Sequence, residues 1–137
     1  MNRRSRPKRP ETTRDMAFLC AAAGLDKKAQ DLILLDVAEL SGYTDFFLLA
    51  SGRSTRQCAA IAENMARVMK KAGLKPLSIT GLKEGGWVLL DFGDVVVHVF
   101  HQPVRELYDL ESLWSDAPKV DIKIDELPEL SDLEQDS

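Results

Sequence analysis

The sequence predicts an α/β fold, a mixed five-stranded sheet with helices packed on it, and three observations support that prediction. Short apolar runs of strand length occur five times along the chain. One segment between them repeats apolar residues at helical spacing, and predicted helices open and close the order. The chain has 137 residues, 45% of them hydrophobic, which is enough for one domain with a real core and too few for two.

From Thr12 to about Gln30, TTRDMAFLCAAAGLDKKAQ is dense in helix formers, with apolar Ala17, Leu19, Cys20, Ala21 and Ala23 and a capping threonine at Thr12 or Thr13. This reads as the first helix. DLILLDV (Asp31 to Val37) and DFFLLAS (Asp45 to Ser51) follow as adjacent strands, separated by the turn signal of Ser41 and Gly42. Neither run alternates polar with apolar residues, so both strands belong near the sheet centre, covered on both faces.

In SGRSTRQCAAIAENMARVMKKAGLKP, the residues Cys58, Ile61, Ala62, Met65, Val68 and Met69 recur every three or four positions. That spacing predicts an amphipathic helix from near Ser54 to Lys70 and Lys71, stopped by Gly73 and Pro76. LSITGL (Leu77 to Leu82), GWVLLDF (Gly86 to Phe92) and VVVHVFH (Val95 to His101) then predict a three-stranded meander. Its second link, Asp91-Phe92-Gly93-Asp94, is a tight hairpin in which Gly93 can take positive φ. A last helix is expected from about Pro103 to Trp114, with the proline suited to its first turn. A two- or three-layer sandwich follows.

Charge is polarised along the chain. Residues 1 to 10 carry five bases and no acids, residues 11 to 117 carry 11 bases against 15 acids, and residues 118 to 137 carry two bases against seven acids. The expected organisation is a disordered basic tail over 1 to 11, a folded domain over 12 to 117 and a disordered acidic tail over 118 to 137, since both ends are polar and poor in aromatics. An acidic body lacks the basic face that a phosphate backbone requires, so no specific nucleic-acid contact is expected of it. An RNA-binding arm, if there is one, would be the basic tail. Cys20 and Cys58 lie in alanine-rich stretches and read as core thiols in a reducing compartment. No apolar run approaches the roughly 20 residues that span a bilayer, and no secretory apolar segment follows the basic start, so a cytoplasmic protein without membrane contact is expected.

Three groups could carry catalysis. SGRS (Ser51 to Ser54) is a glycine turn ahead of a helix N-terminus, which could hold a phosphate, but one glycine and no following lysine fit a turn and a serine cap better. Asp91 and Asp94 could pair on a metal, but acids that share a metal from one strand need alternate positions, and here a turn intervenes. Hairpin capping suits them better. His98, on an apolar strand with His101 nearby, has no nucleophile placed beside it by the sequence, and a packed histidine is the simpler reading. With no zinc spacing, nucleotide fingerprint or nucleophile elbow, no catalytic residue, metal or cofactor is expected.

Trp87 remains. On a strand, Trp87, Leu89 and Asp91 share one face, so the large aromatic is followed on its own side by an acid. A tryptophan that is only partly buried is a common binding anchor, and Asp91, Asp94, Glu106, Asp109 and Glu111 could ring it against a basic partner. Plain core packing is the competing reading, and the sequence does not say which face of the sheet Trp87 occupies.

SGRSTRQCAAIAE, GWVLLDFGDVVVHVF and RELYDLESLW, with LDV and TDFF upstream, resemble the ribosomal silencing factor family, also called RsfS or Iojap-related proteins, over roughly residues 14 to 116. The resemblance implies a translational repressor without enzymatic activity. Such a protein binds the large ribosomal subunit through its protein number fourteen and sterically blocks association with the small subunit. It also implies a nucleotidyltransferase-like topology, in which SGRS and the acids would look like a degraded catalytic site; the alternative is a metal-dependent nucleotidyltransferase-like enzyme. Carried onto this sequence, partner contact falls on Trp87 and Leu89, and then on Asp94, Glu106, Tyr108 and Glu111. The β-rich sheet edge, together with the family likeness, also points to a homodimer.

Overall fold

A computed structural model describes residues 10–130. Helix α1 spans Thr13–Asp26, and Thr12 is its cap, the side-chain oxygen accepting from the Asp15 amide at 3.0 Å. Strand β1 (Gln30–Asp36) leads through a four-residue helix α2 (Ala38–Ser41) to β2 (Phe46–Gly52). The long helix α3 (Thr55–Lys71) starts at Ser54, whose hydroxyl accepts from the Gln57 amide at 3.0 Å, and buries the apolar stripe that its spacing predicts. The meander is β3 (Ser78–Thr80), β4 (Trp87–Asp91) and β5 (Val95–His101), with Gly93 at φ +89° in the β4–β5 hairpin.

The predicted terminal helix is two short ones, α4 (Gln102–Tyr108) and α5 (Leu110–Leu113), because Asp109 adopts the left-handed conformation that aspartate tolerates better than most residues. The sheet has six strands among the described residues, not five. Strand β6 (Lys119–Val120) pairs antiparallel with β1, and it comes from the stretch that charge counting assigns to the acidic tail. Val120, Ile122, Leu127 and Leu130 of that stretch pack on the core, so its hydrophobic residues hold it to the domain despite its charge. The basic tail expected at the N-terminus falls almost wholly outside the described residues.

The strand order is β3-β4-β5-β2-β1-β6, with β2 and β5 parallel and every other neighbouring pair antiparallel. Strands β2 and β5 therefore sit inside the sheet, as their continuous apolar runs require, and both are buried almost throughout. Alternation sends Leu48, Ala50, Val88, Leu90, Val97 and Val99 to the face covered by α1 and α3. Leu35, Phe47, Leu49, Val96 and Phe100 go to the other face, where Val104 of α4, Leu110 of α5 and Trp114 close a smaller core. The result is three layers, with a thick helical layer on one side of the sheet and a thin one on the other.

Candidate functional site

Trp87 lies under the thin layer. It stands opposite Phe100 in the β4–β5 register, Leu89 stands opposite His98, and Asp91 opposite Val96, so these six side chains tile one patch of the sheet. Trp87 and Leu89 are each half-buried and pack on the smaller core, while Phe100 beneath them is fully buried. The Trp87 ring centroid is 4.9 Å from that of Phe100 and 5.0 Å from that of Tyr108 on α4. The indole is thus neither plain core nor free surface: one side rests on Phe100 and another carries an aromatic that is itself 54% exposed.

The polar end of the indole is turned inward. Trp87 Nε1 donates to His98 Nδ1 at 3.1 Å. His98 is 6% exposed, lies parallel to Phe100 at 6.0 Å and meets Phe47 edge-on at 5.0 Å. Burial among these rings pulls its pKa down to about 4, so at neutral pH the imidazole is uncharged. Because Nδ1 accepts from Trp87, the ring proton is on Nε2, and that buried nitrogen has no hydrogen-bond partner among the described residues.

On the thin layer, Leu107 and Leu113 lie either side of Tyr108 in sequence, on α4 and α5, and are 75% and 77% exposed. Glu106 is exposed and accepts from Gln102 Nε2 at 3.2 Å. Among the residues that the sequence singles out, Trp87, Leu89 and Tyr108 come together. Asp94 does not: it is exposed beyond the far end of β4, where roughly 13 Å of strand separates Asp91 from Trp87. Its carbonyl accepts from the amides of Asp45 and Phe46, which ties the hairpin to β2.

Glu111 is turned inward, toward a residue that sequence reasoning passes over. Arg105 of α4 is 5% exposed and forms an ion pair with Glu111, Nη2 to Oε2 at 3.0 Å. Its Nη1 donates to Ser51 Oγ at 2.7 Å and to the Asp31 carbonyl at 2.8 Å. One guanidinium thereby joins α4, α5, the end of β2 and the start of β1. Nothing in RELYDLESLW separates this arginine from a solvent-facing one, since the pairing with Glu111 spans the break at Asp109.

The groups considered for catalysis have other work. Ser51 is engaged by Arg105, Ser54 caps α3, and Gln57 Oε1 accepts from the Arg53 amide at 2.6 Å, so the turn satisfies its own donors. Asp91 Oδ1 accepts from the Gly93 amide at 2.8 Å inside the hairpin. Cys58 belongs to the core beneath α3 and His98 to the opposite face, so the sheet lies between them. Burial raises the pKa of both Cys20 and Cys58. Among the described residues, no three or more His, Cys, Asp or Glu side chains gather as a metal site, and no helix is long and apolar enough to cross a membrane.

A family model described as "Ribosomal silencing factor during starvation" matches residues 10–137. The chain is similar to ribosomal silencing factor RsfS of Halalkalibacterium halodurans, 39% identical over 112 residues that cover 82% of this chain and 96% of that protein. It is similar also to the RsfS of Bacillus subtilis, 43% identical over 104 residues covering 76% and 88% of the two chains. Among solved structures, a Chromobacterium violaceum protein superposes with a TM-score of 0.75 at 35% identity, covering 82% of this chain and 93% of that one.

Proposed function

This chain belongs to the ribosomal silencing factor family, and we propose that it represses translation by docking on the large ribosomal subunit, at its protein number fourteen, so that the small subunit cannot join. The observation that carries the reading is the aromatic patch of Trp87 and Tyr108. It is partly covered by the thin layer, on which Tyr108 is 54% exposed. A large aromatic that is only partly buried is a common form of binding hot spot. The acidic body complements a basic ribosomal protein, which steers encounter and sets orientation. The action is steric occlusion, so its strength follows affinity and concentration and not turnover. We assign contact to Trp87, Leu89, Tyr108 and Glu106, with Asp94 at the rim and Glu111 acting through the position of α5.

Sedimentation with purified subunits tests this. The protein should travel with large subunits alone and lower the yield of joined ribosomes in proportion to its occupancy; undiminished joining at saturating protein refutes it. The nucleotidyltransferase-like reading of the topology belongs with the same proposal, with SGRS and the Asp91 and Asp94 pair now serving as cap and hairpin. Calorimetry with a divalent metal and a nucleoside triphosphate should then register no uptake.

A further inference from the structure

We infer that His98 is the positioning residue for Trp87, holding the indole in the one orientation that presents its outer edge for docking. This rests on the docking role proposed for Trp87. A partly exposed tryptophan has two torsions to lose on binding, and side-chain ordering is a cost that association must overcome. Here that ordering is done in advance. The Trp87 N–H is tethered to His98 Nδ1 at 3.1 Å, and His98 itself cannot swing, because Phe47 and Phe100, 3% and 0% exposed, hold its ring edge-on and in parallel. The indole plane is tilted 34° against Phe100, 44° against Tyr108 and 42° against His98, so three rings and one hydrogen bond fix its attitude.

The chemistry at this position is specific. The site needs an acceptor where Nδ1 lies, on a side chain flat enough to fit between two phenyl rings. The neutral Nε2–H imidazole meets both needs, at the cost of burying its own N–H with no partner among the described residues. Such a cost in a core position that a leucine could fill points to a requirement other than packing. Phe47, Leu49, Leu89 and Phe100 around His98 carry no side-chain acceptor, so among these neighbours the imidazole alone can take the indole proton.

The test compares His98→Leu, which keeps volume and removes the acceptor, with His98→Asn, whose amide oxygen can occupy the place of Nδ1. Both are made in a Trp114→Phe background so that fluorescence reports Trp87 alone. In His98→Leu the Trp87 anisotropy should fall, and affinity for purified large subunits should drop about five- to tenfold, as expected for one lost orienting bond. His98→Asn should restore both. Repeating His98→Leu on a Trp87→Phe chain, which has no N–H to hold, should then leave affinity unchanged. The inference is overturned if His98→Leu and His98→Asn bind alike, or if the leucine variant loses affinity equally with and without the indole N–H. Should Trp87→Ala itself bind normally, the docking role of Trp87 fails instead, and the anisotropy comparison still decides whether His98 orients the ring.

Discussion

The Arg105 guanidinium grips both carboxylate oxygens of Glu111, Nη2 to Oε2 at 3.0 Å and Nε to Oε1 at 3.4 Å, across the helix break at Asp109. The arginine is buried and the glutamate side chain 30% exposed, so the pair is worth more than a surface bridge and less than a fully buried one. Glu111→Ala strands a buried cation that keeps only Ser51 and the Asp31 carbonyl. It should destabilise the domain by about 1–3 kcal/mol. Arg105→Ala removes all of these contacts and should cost more, on the order of 3–5 kcal/mol. Denaturant unfolding measures both, and a Glu111→Ala chain as stable as the parent would show that the pair contributes nothing.

Trp87→Ala separates anchor from core. Full burial would make the truncation cost roughly 3–5 kcal/mol, and half-burial makes it less. A domain of ordinary stability, about 5–15 kcal/mol, should then survive it. The variant is expected to keep its circular dichroism spectrum while binding to large subunits weakens by about tenfold or more. Undiminished binding by the folded variant would remove Trp87 from the interface.

Acid should weaken the fold through His98. Its pKa is lowered to about 4 in the folded state against about 6.5 when unfolded, so the unfolded chain takes up the proton first as pH falls. No cost appears above the unfolded value. Below it, stability declines until the folded pKa is reached, with a ceiling on the order of 3 kcal/mol. His98→Leu cannot titrate there, so the stability difference between parent and variant should shift in the variant's favour between pH 6.5 and pH 4. Parallel pH profiles for the two chains would contradict the assignment.

Gly81 governs the turn into β4. It sits at φ +81°, and a Cβ there would lie 2.1 Å from the Trp87 carbonyl oxygen. Gly81→Ala therefore combines a left-handed alanine, roughly 1–2 kcal/mol, with a backbone collision that must push β3 and β4 apart. Lower stability should come with altered Trp87 fluorescence. An unchanged spectrum would mean that the strand does not shift.

The sheet centre and the long helix were the most legible parts of this sequence. Phe46 to Ala50 and Val95 to Phe100 are met by near-complete burial in the sheet. In contrast, β1 lies one strand from the edge and its Leu32 and Ile33 are only partly buried, so its apolar run overstates how central it is. Ser54 with Lys70 and Lys71 brackets α3 by cap and dipole chemistry. Other elements leave no such trace. Strand β6 is two residues long and owes its place to backbone pairing with Leu34 and Leu35, which side-chain pattern cannot report. The break at Asp109 depends on one residue's backbone angle. At the site, strand alternation correctly grouped Trp87 with Leu89 and Asp91. Glu111 was read as a surface acid because its partner, Arg105, looks like any exposed arginine until α4 has been folded against β2. The hydrogen bond from Trp87 to His98 runs diagonally, two residues off the Trp87–Phe100 pairing, which no linear spacing encodes.

Strand β6 has one more effect. Without it, β1 would end the sheet with its outer backbone groups at Leu34 and Leu35 unpaired. Bare margins of that kind template the pairing of one molecule with the next. The short stretch from Pro118 to Val120, with a proline and a lysine at its start, pairs with that margin at Leu34 and Leu35 and takes the Asp36 amide on the proline carbonyl at 2.9 Å. A chain cut back to Ala117 should therefore form concentration-dependent aggregates while keeping its aromatic patch, which makes the C-terminal segment a guard against self-association.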